Sequence, residues 1–159
     1  MENKQPDNIH YAPLRVEFED CDAMGVVYHP NYLRFIERSR VDFLRQHRLP
    51  FKALMDSGFA MVISEINAKY WRPARFEDQL HVYTRQVLFS EKQVSIEQII
   101  VRDLLSPADQ ILPARKIAGR IFVGMVHLTS IDLSTMRSTP FPSSTAEILS
   151  SLTVKICED

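Results

Sequence analysis

One helix-forming segment in this chain carries an apolar surface too broad for a single neighbour, and strand-forming segments follow it in series. No other feature constrains the fold as strongly. Leu33, Ile36, Arg40, Phe43 and Leu44 recur at helical spacing, with Tyr32, Phe35 and Val41 widening the face. The helix is predicted to open at about Pro30, since proline suits a first helical position, and to stop over His47 to Pro50. Phe51 to Ser57 predicts a short second helical piece before Gly58. Four strands are then expected: Val62 to Tyr70, Leu80 to Leu88, Val94 to Val101 and Ile117 to Thr129. Arg72-Pro73-Ala74 and Ser106-Pro107-Ala108-Asp109 mark turns between them. Ahead of the helix, Leu14, Val16 and Phe18 alternate with Arg15, Glu17 and Glu19, which predicts one earlier strand. The Ile96 to Val101 segment is apolar on both faces, so the sheet needs two covers: the helix on one side and a partner subunit on the other. The expected class is α+β, an antiparallel sheet wrapped around a long central helix.

The length of 159 residues fits a single domain over 1–159. Met1 to Asn8 is polar and lacks the apolar core of a signal peptide, so residues 1–10 are expected to be a flexible lead-in. Residues 131–159 form a tail, in which Ser144 and Glu147 match a capping box ahead of a short C-terminal helix. No run of about 18 apolar residues occurs, so no integral membrane segment is expected. A net charge of -1 without a basic block argues against nucleic acid as partner, although local basic clusters can still hold a small anion. Cys21 and Cys157, near opposite ends, fit a reducing cytoplasm better than a disulfide scaffold. His10, His47, His81 and His127 show no metal-ligand spacing with each other or the cysteines, so no metal site is expected. Cys21 has no basic neighbour to activate it, and a buried inert thiol is the default.

The chemistry concentrates between Phe18 and Arg40. A carboxylate, Asp22, and a histidine, His29, sit on a loop that feeds a helix N-terminus, where unpaired N–H groups can stabilise an oxyanion. Gly25 lets that loop turn tightly or approach a ligand closely. Spacing alone favours a blander alternative, Asp22 capping the region and His29 packed in the loop, because acidic residues near helix starts are common. Glu37 on the helix fits an exposed or partner-facing carboxylate better than a site residue.

The run Asp22-Ala23-Met24-Gly25-Val26-Val27-Tyr28-His29-Pro30-Asn31-Tyr32-Leu33 resembles the signature of the 4-hydroxybenzoyl-CoA thioesterase family, in particular the branch of Tol–Pal-associated acyl-CoA thioesterases. Lys69-Tyr70-Trp71-Arg72-Pro73-Ala74-Arg75-Phe76-Glu77-Asp78-Gln79-Leu80 is similar to a second family motif, K-Y-x-x-P-A-x-x-G-D-x-L, with Glu77 in place of the glycine. The likeness spans roughly Leu14 to Thr129 and implies the hotdog fold.

By this resemblance the catalytic aspartate falls on Asp22, acting as nucleophile on a thioester carbonyl or as base for water. The N–H that polarises the carbonyl falls near His29, whose side chain has a supporting role in proton transfer or in fixing a water. Gly25, Tyr28, Pro30, Asn31 and Tyr32 are implied to shape the substrate pocket. Lys69, Arg72, Arg75 and Lys92 are candidates for contacting CoA phosphates, with solvated surface charge as the ordinary reading of each. The implied activity is hydrolysis of an acyl-CoA, or an acyl carrier protein thioester, to free acid and thiol, with no cofactor. The implied assembly is a homodimer or homotetramer in which residues between Tyr70 and Asp78 border a neighbouring subunit's pocket. Rivals are a hotdog dehydratase, whose His–acid helix motif is absent here, and a non-catalytic acyl-thioester-binding protein.

Overall fold

The computed structural model describes residues 8–157. Most of the expected lead-in, residues 1–7, lies outside the described residues. The elements run β1 (Ile9–Arg15), α1 (Asn31–Gln46), α2 (Phe51–Asp56), β2 (Phe59–Tyr70), β3 (Gln79–Phe89), β4 (Gln93–Val101), β5 (Arg120–Asp132), β6 (Arg137–Ser138) and α3 (Ser143–Ser151). All the pairings between these strands are antiparallel, in the order β1-β3-β4-β5-β2, with β6 added to β5. Register shifts at Ile63/Glu65 and Gln86/Leu88 bend long strands, which lets the sheet curl around α1. The expected α+β architecture, one long helix held in an antiparallel sheet, is the observed one.

Helix α1 packs chiefly on β3 and β1. Ile36, Phe43 and Leu44 are almost fully buried, and each contributes roughly 1.5–3 kcal/mol through loss of apolar contact with water. A polar seam sets the helix in register on the sheet. Arg40 donates to Gln98 at 2.9 Å, Gln98 donates to the Ile36 carbonyl at 2.7 Å and to Thr84 at 2.9 Å, and Ser39 bonds Thr84 at 2.8 Å. Each of these side chains is buried with a partner, so the seam fixes position without leaving an orphaned group.

Several boundaries depart from expectation. The first strand opens at Ile9, pairing Ile9 with Arg85, because the sheet needs the backbone of that segment although its sequence alternates poorly. Ile9 and His10 are therefore strand residues rather than lead-in, while Phe18 leaves the strand and stands 79% exposed in a 3-10 turn, Phe18–Asp20. Pro30 is the N-cap of α1 rather than its first residue. In α3 the N-cap is Pro142, no side chain caps the helix, and the Ser144–Glu147 box does not form, because helix entry falls too early for it.

The second face of the sheet is covered in part by the chain itself. Residues 102–119, which contain the 3-10 turns Asp109–Ile111 and Ala114–Lys116, fold back so that Ala114 and Ile117 pack on Ile9, Tyr83, Ile99 and Val101. Arg85, 1% exposed, fastens this connection: it is ion-paired to Glu97 and donates to the Gln110 and Leu112 carbonyls. The edge of β2 away from β5 has no strand beside it among the described residues, and β2 exposes Val62, Ile63 and Ile66. No helix among the described residues is long and apolar enough to cross a membrane.

Candidate active site

The loop before α1 is built as a tight hairpin. Cys21 bridges Val27, the Asp22 N–H donates to the Val26 carbonyl at 2.9 Å, and the Gly25 N–H donates to the Asp22 carbonyl at 2.9 Å. Gly25 has φ +71°, a left-handed conformation that glycine adopts without steric cost. The Asp22 carboxylate takes part in its own turn, Oδ1 accepting the Met24 N–H at 2.8 Å. Among the described residues Oδ2 has no hydrogen-bond partner, and the side chain is only partly buried.

The far end of the hairpin is tied to the helix start. The Asp20 carbonyl accepts from the Tyr28 N–H at 2.8 Å and from Asn31 Nδ2 at 3.0 Å. Val27 N–H donates to the Ala74 carbonyl at 2.8 Å, and the Ala74 N–H donates to the Tyr32 hydroxyl at 3.1 Å. Tyr70 donates its hydroxyl to the His29 carbonyl at 3.2 Å. Tyr32 stacks on Phe122, with centroids 5.4 Å apart, while Tyr70 meets both rings edge-on. Burial is the main cause that raises the Tyr32 and Tyr70 hydroxyls above the usual tyrosine range, so both remain protonated donors or acceptors near neutral pH.

These ties bring Asp22, Gly25, Tyr28, His29, Pro30, Asn31 and Tyr32 onto one hairpin and the helix entry it feeds. Asn31 and Tyr32 are buried, which suits shaping the loop rather than touching a reactant; Tyr28 and His29 are exposed, their rings 5.0 Å apart. No hydrogen bond or ion pair joins Asp22 to His29 among the described residues, and the His29 N–H has no intramolecular acceptor among them. The arrangement thus offers a carboxylate oxygen and a main-chain donor at the entry of a long helix.

The basic candidates scatter. Arg72 and Arg75 are exposed on the β2–β3 connection, on the side of the molecule that holds Ala74 against the hairpin. Lys69 does not join the hairpin: alternation along β2 sends Tyr70 toward α1 and Lys69 to the opposite face, where it lines a cavity with Trp71. Lys92 lies in the β3–β4 turn, its carbonyl bonded to the Ser130 N–H, at the other end of β5 from Phe122. Eight residues of strand separate those positions, a distance of roughly 27 Å. Residues that spacing alone could not reveal are Phe122 and the bond from Tyr70 to His29, because they meet α1 only through the sheet.

The antiparallel sheet curled on one helix is the hotdog fold, and the family match and similar proteins define the class as a thioester hydrolase. The chain belongs to the thioesterase-like superfamily, whose family model matches residues 16–149. Among similar proteins, the acyl-CoA thioesterase YbgC of Haemophilus influenzae is 30% identical over 86% of this chain and 90% of its own length. The acyl-CoA thioester hydrolase YbgC of Escherichia coli is 36% identical over 57% of this chain and 73% of its own. A 1,4-dihydroxy-2-naphthoyl-CoA thioesterase from Synechocystis superposes with TM-score 0.75 at 19% identity, covering 91% of this chain and 97% of that one, a likeness of fold.

Proposed function

We propose that this protein hydrolyses an acyl-CoA to a free acid and CoA, with Asp22 as nucleophile or general base. The observation that carries the reading is the Asp22 carboxylate, one oxygen of which has no partner among the described residues, held by a hairpin whose exit presents the His29 N–H, likewise without an acceptor among them, at the start of α1. In the nucleophilic route Asp22 adds to the thioester carbonyl and the His29 N–H receives the developing oxyanion. The C–S bond then breaks, the thiolate takes a proton from solvent, and water cleaves the acyl–aspartyl anhydride to return the carboxylate. In the general-base route Asp22 takes a proton from water, which attacks directly and yields the same products. Tyr28 and the exposed His29 ring border the approach to the carbonyl.

The YbgC names of the relatives support an acyl-CoA substrate, and the two motifs support placement near the 4-hydroxybenzoyl-CoA and Tol–Pal-associated branch. The unpaired β2 edge with exposed Val62, Ile63 and Ile66 favours a homodimer through that edge, since a long apolar edge strand is a template for a second copy. Two free cysteines are compatible with a cytoplasmic setting.

The test is thiol release from short, long, branched and aromatic acyl-CoAs, comparing the native chain with Asp22→Asn. Loss of turnover by about 100-fold or more in a folded variant is expected, as for removal of a positioned acid–base group. Native protein inactive on the whole panel would overturn the acyl-CoA reading and direct the assay to carrier-protein thioesters.

A further inference from the structure

The face of the sheet turned away from α1 contains a cavity of about 390 Å³, a size within the range of small-molecule sites. Pro113 and Ala114, from the connection clasped by Arg85, line it along with Val123 and Met125 of β5, Val87 of β3 and Ile156 near the C-terminus. The floor spans four adjacent strands, β2 to β3, about 14 Å at ordinary strand spacing; β5 and β3 present the apolar side chains, and β2 and β4 present Asn67, Lys69 and Glu97. The charged residues at the cavity are Lys69, Arg115 and Glu97. Glu97 is already neutralised by Arg85, whereas the Lys69 and Arg115 side chains form no ion pair or hydrogen bond among the described residues. The Arg120 guanidinium, 4.0 Å over the Trp71 ring, adds positive charge at one end.

We infer that this cavity is a second ligand site, separate from the Asp22 hairpin, for a medium-length apolar chain that ends in a carboxylate. The apolar lining accepts the chain, and Lys69 and Arg115, whose side chains have no counter-charge among the described residues, accept the anion. A second copy of the protein is a poorer fit, because the connection folded over the sheet leaves a recess there rather than a flat face. The inference is independent of the chemistry proposed for Asp22.

Trp71, which lines the cavity, is the chain's only tryptophan and therefore reports on it directly. The full chain is titrated with sodium decanoate below its micelle concentration while tryptophan fluorescence is followed. Saturable change is expected, weakened about tenfold in the Lys69→Gln/Arg115→Gln double variant, whose substitutions are at exposed positions. Val123→Phe fills the cavity and is expected to abolish the response, while Asp22→Asn leaves it unchanged. Decyltrimethylammonium and methyl decanoate are expected not to bind. No saturable change in the native chain overturns the proposal, as does equal binding of the methyl ester. Loss of the response in Asp22→Asn with retention in Val123→Phe assigns the acid to the hairpin instead. Loss of the decanoate response as protein concentration rises shows a second copy seated on this face, and also overturns it.

Discussion

The Tyr70 hydroxyl, at the end of β2, donates to the main-chain carbonyl of His29 at 3.2 Å, linking the edge strand to the loop that enters α1. Tyr70 is 48% exposed, so this bond is one of few polar contacts holding the exit of the hairpin from the strand side. Tyr70→Phe keeps the ring contacts and removes only the hydroxyl. We expect kcat for thiol release to fall about three- to tenfold, the cost of about 1 kcal/mol for one hydrogen bond, with little change in Tm. Unchanged kcat would show that the hairpin holds His29 without Tyr70.

Glu77 occupies the place where the resembling family has glycine, and its φ is +68°. A residue with a Cβ bears a steric penalty in that conformation. The turn nevertheless keeps its bonds, Glu77 N–H to the Val16 carbonyl and the Arg75 N–H to Asp78. Glu77→Gly is expected to raise stability by roughly 0.5–1 kcal/mol, part of the relief being offset by the freedom glycine adds to the unfolded chain. Urea unfolding measures it; a loss of stability would mean the Glu77 side chain contributes more than its backbone costs.

Gly124 lies where the helix meets the sheet. A Cβ there would come within 3.0 Å of Ile36 Cδ1 and 3.0 Å of Phe122 Cε1. Ile36 can swing its terminal methyl aside, but the Phe122 ring is stacked on Tyr32. Gly124→Val is expected to cost about 1–3 kcal/mol through overpacking and to lower kcat by shifting Tyr32. A stability loss without any change in kcat would separate this contact from the site.

The Arg85–Glu97 pair is buried, at 1% and 13% side-chain exposure. Glu97→Gln leaves the guanidinium without an anion and is expected to lower stability by about 3–5 kcal/mol. Replacing both residues with leucine should cost less, since no unpaired charge remains. Equal losses in the single and double variants would place the effect in the Gln110 and Leu112 carbonyl bonds that Arg85 also makes.

Burial, and next to it the neighbouring His10, holds His47 below its ordinary pKa of 6.5. His47 packs edge-on against Phe43, and the buried His10 bonds Gln46 through Nδ1 at 2.9 Å. The unfolded chain therefore takes up a proton near pH 6.5 while the folded chain resists it, so stability is full above that pH and declines as pH falls below it. Tm measured from pH 8 to 5 is expected to fall through that window, and less steeply in His47→Gln. Parallel curves for the two proteins would place the acid sensitivity elsewhere.

Much of this protein is legible along the chain because its signals are local. The 3.6-residue recurrence from Leu33 to Leu44 marks α1, and the period-two runs mark β2 to β5, since each side chain's direction follows from the backbone period alone. The hairpin is equally local: Asp22, Gly25 and His29 stand within one short stretch, and glycine at the left-handed position has its reason in the loop itself. Long-range pairing settles the rest. Ile9 joins a strand only because Arg85 lies beside it, and Phe18 turns outward because the chain leaves the sheet at Arg15. Lys69 and Tyr70 are neighbours in sequence, yet strand alternation sends them to opposite faces, one to the cavity and one to the helix entry. The cover that residues 102–119 lay over the second face is fastened by Arg85, and only the pairing of β3 with β4 brings Arg85 against Glu97 and the Leu112 carbonyl. A sequence determines the period and chemistry of each segment; which segments meet is decided when the strands pair and apolar faces and buried charges find their partners.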